Sequence, residues 1–252
     1  MRAIIIGAGR GSRLMPLTRD VPKCFAEVGG RRILDWALAA LREAGIEDIA
    51  FIGGYCIDAV KRDYPELTFR ENDNWPNNNI LQSLMYARDL MSDGFICSYA
   101  DILYRPRWVR ALLASPHPIA LACDSAWRLR YQHRSEHPED DAEKVAVDGD
   151  RVLALNRTMS SDAAAGEYIG VARFNASAAR AFIASFDAAK ARDDGGPYKG
   201  AKSFAKAYLI DHFQQLLDEG HTLNAVLADG GYMEIDTQQD YELARKDWQE
   251  MR

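Results

Sequence analysis

The sequence predicts an α/β protein, a Rossmann-like three-layer α/β/α fold around a mixed, mainly parallel central sheet. Three observations predict it. The chain opens on a fully apolar run, Ala3 to Ile6, that stops at a glycine, as buried parallel strands do. Short apolar runs then alternate with segments of helical spacing as far as Cys123. With 252 residues and 48% hydrophobic content, the chain can bury a sizeable core.

The elements follow in order. Ile33 to Ala44 has apolar residues at helical spacing, and Gly45 ends it. Asp48 to Ile52 reads as a second strand, Ile57 to Arg62 as a short helix and Leu67 to Arg70 as a third strand. Asn79 to Met91 is amphipathic and helical, Phe95 to Tyr99 a strand, Arg107 to Leu113 a helix and Ile119 to Cys123 a strand. Residues 127–143 have no sustained period and read as a long functional loop. Lys144 to Val147 and Arg151 to Leu155 flank Asp148-Gly149-Asp150 as a hairpin would. Tyr168 to Phe174 is a strand; Ala176 to Ala189 and Phe204 to Glu219 are helices, separated by the break Asp193–Pro197. Leu223 to Leu227 and Met233 to Ile235 are late strands. Thr237 to Gln249 closes the chain as a helix, with Asp236 or Thr237 at its N-cap. No internal repeat or linker interrupts the pattern, so a single domain is expected over residues 1–252.

Net charge is −6, which gives no general attraction for nucleic acid or an anionic membrane. No apolar run is long enough to cross a bilayer. Met1 leads directly into a strand and does not read as a signal peptide. The four cysteines, Cys24, Cys56, Cys97 and Cys123, are widely spaced and lack a CxxC pair, so neither a disulfide framework nor a zinc site is expected, and a cytoplasmic setting is. The five histidines show no metalloprotease spacing, and no GxSxG elbow occurs.

The strongest local signal follows the first strand: Gly7-Ala8-Gly9-Arg10-Gly11-Ser12-Arg13-Leu14. Its glycines let backbone N–H groups approach a ligand, and its arginines favour phosphate. It fits neither common phosphate loop. Position 12 is serine where a dinucleotide fingerprint needs glycine, and no GK[ST] occurs. The loop continues through Met15-Pro16-Leu17-Thr18 to Pro22-Lys23, which places Arg13 and Lys23 near one phosphate site. Two carboxylates stand where a metal site would form in an open α/β sheet: Asp101, after the strand at 95–99, and Asp236, after Met233-Glu234-Ile235.

The stretch from Ile6 to Lys23 resembles the signature of the nucleotidyltransferases that include sugar-1-phosphate nucleotidylyltransferases and phosphocholine cytidylyltransferases. That signature reads A-A-G-x-G-x-R-L-x-P-L-T and then P-K, and the chain departs from it only at Gly7, where alanine is usual. The resemblance implies a fold of the nucleotide-diphospho-sugar transferase type. It implies that Ala8, Gly9, Gly11 and Ser12 wrap a triphosphate, that Arg13 and Lys23 neutralise charge during transfer, and that Asp101 and Asp236 hold Mg²⁺. Gly54-Tyr55 and the run Asn78, Gln82, Ser83 resemble the phosphocholine cytidylyltransferase branch, which implies a cytidine donor, CTP.

For the acceptor, the aromatic and acidic groups Trp127, Asp140, Asp141, Glu143, Glu167, Tyr168, Tyr232 and Glu234 would suit a cationic head, while Lys144 with Arg128 and Arg130 would suit an anionic one. The sequence contains both kinds and leaves the choice open. The segments 98–102, 127–128, 139–143 and 167–170 resemble a bacterial subgroup of surface-polymer and phosphonate metabolism. The expected activity is transfer of CMP from CTP to a small phosphorylated or phosphonylated acceptor. Residues 1–125 would mainly bind nucleotide and 126–236 mainly the acceptor, and a homodimer is left open. A uridylyl- or thymidylyltransferase acting on a sugar phosphate is the first alternative, and a non-catalytic nucleotide-binding regulator the second.

Overall fold

The computed structural model describes residues 1–249. The apolar first run forms β1 (Arg2–Gly7), buried along its middle. After it come the small ribbon β2 (Glu27–Val28) and β3 (Arg31–Arg32), then helix α1 (Ile33–Glu43). Helix α1 buries Ile33, Leu34, Ala37, Leu38, Ala40 and Leu41 on one side. It starts where Asp35 accepts the backbone N–H of Arg32 at 3.1 Å. It stops at Gly45, which takes a φ of +87°.

The remaining elements are β4 (Ile49–Gly53), α2 (Ile57–Asp63), β5 (Thr68–Glu71), α3 (Ile80–Met85), β6 (Phe95–Tyr99), β7 (Ile102–Tyr104), α4 (Pro106–Ala114) and β8 (Ile119–Asp124). Then come α5 (Trp127–Tyr131), β9 (Lys144–Asp148), β10 (Arg151–Asn156), β11 (Gly166–Phe174), α6 (Ala176–Ala191), α7 (Leu209–Asp218), β12 (Asn224–Ala228), β13 (Tyr232–Glu234) and α8 (Gln238–Asp247).

Nine strands make one sheet in the order β5-β4-β1-β6-β11-β8-β12-β10-β9. β10 and β11 run against the other seven, so the sheet is mixed with one dominant direction. β1 lies between β4 and β6 in parallel register, so its glycine loop emerges at the carboxyl ends of the central strands, where open α/β sheets collect ligands. The core is continuous from α1 through the sheet to α6 and α7.

The structure departs from the sequence reading in four places. The helix expected over 79–91 ends at Met85 and resumes only as a 3₁₀ turn at Arg88–Leu90. The helix expected from Phe204 begins at Leu209, because the Asp211 carboxylate accepts the N–H of Tyr208 at 2.8 Å and caps it there. Residues 127–143 contain α5 and a 3₁₀ turn at Glu139–Asp141, gathered around buried Trp127, Tyr131 and Ala142. A five-residue helix is too short to show a helical period in sequence. Finally, β7 and β13 form a separate antiparallel ribbon, Ile102 opposite Glu234, and Ile235 N donates to Asp101 O at 3.0 Å just beyond it.

His212 of α7 is buried. Its Nδ1 accepts from the Tyr198 hydroxyl at 2.7 Å, and its Nε2 donates to the Phe182 carbonyl at 3.4 Å. Burial lowers its pKa to about 4. A proton therefore binds the unfolded chain, with its ordinary value of 6.5, more tightly than the folded one. The stability gained by keeping His212 neutral is complete above pH 6.5 and is lost as pH falls through about 4. Urea unfolding across that window is expected to show a decline of about 3 kcal/mol from this residue. His212→Gln should flatten the decline. An unchanged pH profile in the variant would contradict the assignment.

Candidate active site

Glycine at position 7 is dictated by packing. A Cβ there would lie 2.7 Å from Ala100 Cβ and from Phe51 Cζ. Gly11 adopts a φ of +66°, and a Cβ on it would meet Lys23 Cδ at 2.9 Å, so this glycine lets the lysine side chain cross the loop closely. The Thr18 hydroxyl donates to Gly11 O at 2.8 Å and ties the far side of the loop down. Arg13 is carried by the 3₁₀ turn Ser12–Leu14, and Lys23 opens the turn Lys23–Phe25 behind Pro22.

These two cations meet the two strand-end aspartates. Lys23 Nζ donates to Asp101 Oδ2 at 2.8 Å and also to Asp236 Oδ1, while Arg13 Nη2 donates to Asp236 Oδ2. The β7–β13 ribbon fixes the spacing, because it joins the segments that follow Asp101 and precede Asp236. Asp240 in the first turn of α8 accepts the backbone N–H groups of Asp236 and Thr237 at 3.1 and 2.9 Å, which locks the exit from the ribbon. Burial works against the Lys23 charge, but Asp101 and Asp236 outweigh it, and the ammonium holds its proton more firmly than a free lysine. Burial also pushes the Asp236 carboxyl up, and Lys23 and Arg13 reverse this to hold it at about 2. Glu234 differs: burial and the neighbouring Asp236 charge push its carboxyl well above the usual range, against the pull of Arg134.

All four groups line one cleft of about 470 Å³, together with Ala8, Gly9, Gly11, Ser12, Asn78, Ser83, Glu167, Tyr168, Tyr232 and Glu234. Five residues expected at the site do not line it. Gly54 and Tyr55 stand behind the loop: Tyr55 N donates to Ala8 O at 2.9 Å, and a Cβ on Gly54 would meet that same carbonyl at 2.8 Å. Gln82 is turned to the Phe204 carbonyl at 3.2 Å. Trp127 is buried beside Tyr131 in its own small cluster. Lys144 is buried too, and its ammonium donates to the Arg157 carbonyl at 2.7 Å. These five residues stand behind or beside the cleft and do not form its lining.

The cleft is also lined by Asn79, Tyr99, Asp141 and Glu143, which lie in segments the sequence reading had drawn on, and by Trp75, His137, Arg157 and Tyr208, which it passed over. Trp75 extends the aromatic edge next to Tyr55, with ring centres 5.5 Å apart. His137 is buried in the 127–143 segment, where Nδ1 faces Arg134 and Asp240. The one available signal was the density of acidic and basic residues in a segment with no period.

Around the lining, six carboxylates (Asp101, Asp141, Glu143, Glu167, Glu234 and Asp236) face three cationic side chains (Arg13, Lys23 and Arg157). An excess of carboxylates of this kind favours a polyanion that arrives with added cations. Asp101 and Asp236 already converge on a single cation, the Lys23 ammonium, and oxygen donors of this kind fit a hard divalent ion. His137, Glu234 and Asp236 offer a second convergent set, with ligand atoms within 4.8 Å of one another.

A glycine loop at the carboxyl end of β1, with paired cations and strand-end aspartates in one cleft, defines a nucleotidyltransferase. The chain belongs to the family of MobA-like NTP transferase domains, which it matches over residues 3–228. It is 32% identical over 253 residues to the CTP:phosphoglutamine cytidylyltransferase of Campylobacter jejuni, an alignment covering 96% of this chain and 98% of that protein. It is 29% identical over 137 residues to the choline-phosphate cytidylyltransferase of Streptococcus pneumoniae, covering 52% of this chain and 59% of that one. Among solved structures, the CTP:phosphocholine cytidylyltransferase of Streptococcus pneumoniae superposes with a TM-score of 0.71 at 23% identity, covering 97% of both chains. The inositol-1-phosphate CTP transferase of T. maritima does so at 0.75 and 21%, covering 97% of this chain and 95% of that one. The fold is that of the nucleotide-diphospho-sugar transferases, and the chain is a nucleotidyltransferase enzyme. No helix among the described residues is long and apolar enough to cross a membrane.

Replacing Lys23 leaves two neighbouring carboxylates without their shared partner. Lys23→Met is expected to cost roughly 3 kcal/mol in urea unfolding, and Lys23→Met/Asp236→Asn should recover part of that loss. A single variant as stable as the parent would contradict the pairing.

Proposed function

We propose that this enzyme transfers CMP from CTP to a small phosphorylated or phosphonylated acceptor, with Mg²⁺, and releases pyrophosphate. The observation that carries the reading is the convergence of Arg13, Lys23, Asp101 and Asp236 beside the glycine loop in one cleft. The cytidine donor is favoured by the relative aligned along nearly its whole length, whose name specifies CTP.

In this reading, an acceptor phosphate oxygen attacks the α-phosphorus, and the bond to the β-phosphate oxygen breaks. The acceptor phosphate is already anionic at neutral pH, so no side chain need serve as nucleophile. The backbone of Ala8 to Ser12 cradles the triphosphate. Lys23 and Arg13 exchange their aspartate partners for phosphate oxygens and stabilise the charge that moves onto the leaving pyrophosphate. Asp101 and Asp236 are the residues that would hold Mg²⁺, which when bound neutralises phosphate charge. Asn78 and Ser83 face the base, residues 1–125 form the nucleotide half, and 126–236 form the acceptor half. The four free cysteines, three of them buried, suit a reducing cytoplasm.

The test is pyrophosphate release with CTP, UTP, dTTP or ATP, each against phosphoglutamine, phosphocholine, 2-aminoethylphosphonate and glucose 1-phosphate. CTP with a non-sugar acceptor is expected to dominate, and Lys23→Ala should lower turnover about 100- to 1000-fold. Preferred use of UTP or dTTP with the sugar phosphate would overturn the cytidine assignment.

A further inference from the structure

Of the three cationic side chains lining the cleft, Arg13 and Lys23 are bound to Asp236, and Arg157 is not. Arg157 follows β10 and is held from several directions. Its Nη2 donates to Glu143 Oε1 at 2.9 Å. Its guanidinium lies over the Tyr208 ring, 3.8 Å from the centre. Its backbone carbonyl accepts from the buried Lys144 ammonium at 2.7 Å. Glu143 is fixed as well, since its other oxygen accepts from the Tyr99 hydroxyl at 3.3 Å, and Tyr99 stands two residues before Asp101.

These contacts hold the pair in place but do not use every donor. Glu143 accepts from Nη2 alone, and 32% of the Arg157 side chain remains exposed in a cleft that it lines, whereas Nε, which has no hydrogen-bond partner among the described residues, is itself buried. A guanidinium has five N–H donors and favours carboxylates in a fixed fork, so spare donors held in place by stacking are ready for an anion. The buried Glu143 carboxylate beside it also lines the cleft and would accept from an ammonium. Opposite charges in direct contact complement an α-amino acid, whose ammonium and carboxylate leave the same carbon. A ligand carrying one of the two charges leaves the other member of the pair unmatched, which is how such a site rejects near relatives.

We propose that Glu143 and Arg157 form a zwitterion subsite that selects a phosphorylated α-amino acid, or the phosphorylated amide of one, as the acceptor. This rests on the transferase reading above, with the phosphate end of the acceptor directed to the Lys23, Asp101 and Asp236 cluster. Glu143 and Arg157 are thus specificity-determining residues. Lys144, which touches Arg157 only through its backbone, is a positioning residue.

The experiment is calorimetric titration of phosphoglutamine and of two analogues, one lacking the α-carboxylate and one lacking the α-amine. Each is run with and without α,β-methylene-CTP and Mg²⁺, and the affinity for α,β-methylene-CTP is measured separately. The parent protein is expected to bind phosphoglutamine about 10- to 100-fold more tightly than either analogue. Arg157→Gln should remove the advantage over the analogue without the carboxylate, and Glu143→Gln the advantage over the one without the amine. Arg157→Lys, which keeps the charge but loses the fork, should recover part of the first. Thermal unfolding checks that each variant is folded. Equal affinity of the parent for all three compounds, or no binding of phosphoglutamine, overturns the proposal. So does an Arg157→Gln variant that loses affinity for the CTP analogue instead. Failure of the cytidine reading shows separately, as an absence of CTP-analogue binding by the parent.

Discussion

An ammonium group placed between two carboxylates organises this protein. Lys23 is mostly withdrawn from water, and that position is tolerable because Asp101 and Asp236 both accept from it. The arrangement depends on parts far apart in sequence. Gly11 has no side chain to block the lysine, the β7–β13 ribbon sets the separation of the aspartates, and Asp240 fixes the backbone where Asp236 leaves the strand. Change any one of these and the cluster loses its geometry before any substrate arrives.

The same cluster explains how one site can be stable alone and receptive to a polyanion. In the free protein, the cations and carboxylates satisfy each other. In the proposed reading, a triphosphate arriving with divalent ions would offer every member a replacement partner: phosphate oxygens for Lys23 and Arg13, metal for the aspartates. The cluster is thus assembled beforehand, and in that reading binding would exchange partners without reorganising the fold. Electrostatic preorganisation of this kind is the largest contribution most transfer enzymes make to their rate.

How much of this was legible in the sequence depended on how locally each feature was encoded. Arg13 and Lys23 could be read because they belong to one contiguous glycine-rich motif, and Asp101 and Asp236 because each follows an apolar strand. The main sheet strands were legible for the same reason: their apolar runs are buried on both faces. Of the ribbon that unites the aspartates, β13 was legible as the run at 233–235, but β7 and its pairing with β13 were not, since a three-residue strand carries no period and no local pattern names its partner. Glu143 lay in a segment the sequence offered for the acceptor, but its meeting with Arg157 was not legible, because it depends on the turn of the β9–β10 hairpin and on its contact with β11. Lys144 was grouped with Arg128 and Arg130 as a cation for an anionic acceptor; its ammonium is buried against a backbone carbonyl that no local pattern announces. Trp127 had the composition of a ligand-binding residue and proved to be the centre of a small packing cluster.

The most direct measurement of the central claim is a crystal structure with α,β-methylene-CTP and Mg²⁺. The account predicts Lys23 and Arg13 hydrogen-bonded to phosphate oxygens, with Asp101 and Asp236 sharing a metal ion at the place the ammonium has left. A triphosphate bound elsewhere, with Lys23 still joined to both aspartates, would contradict it.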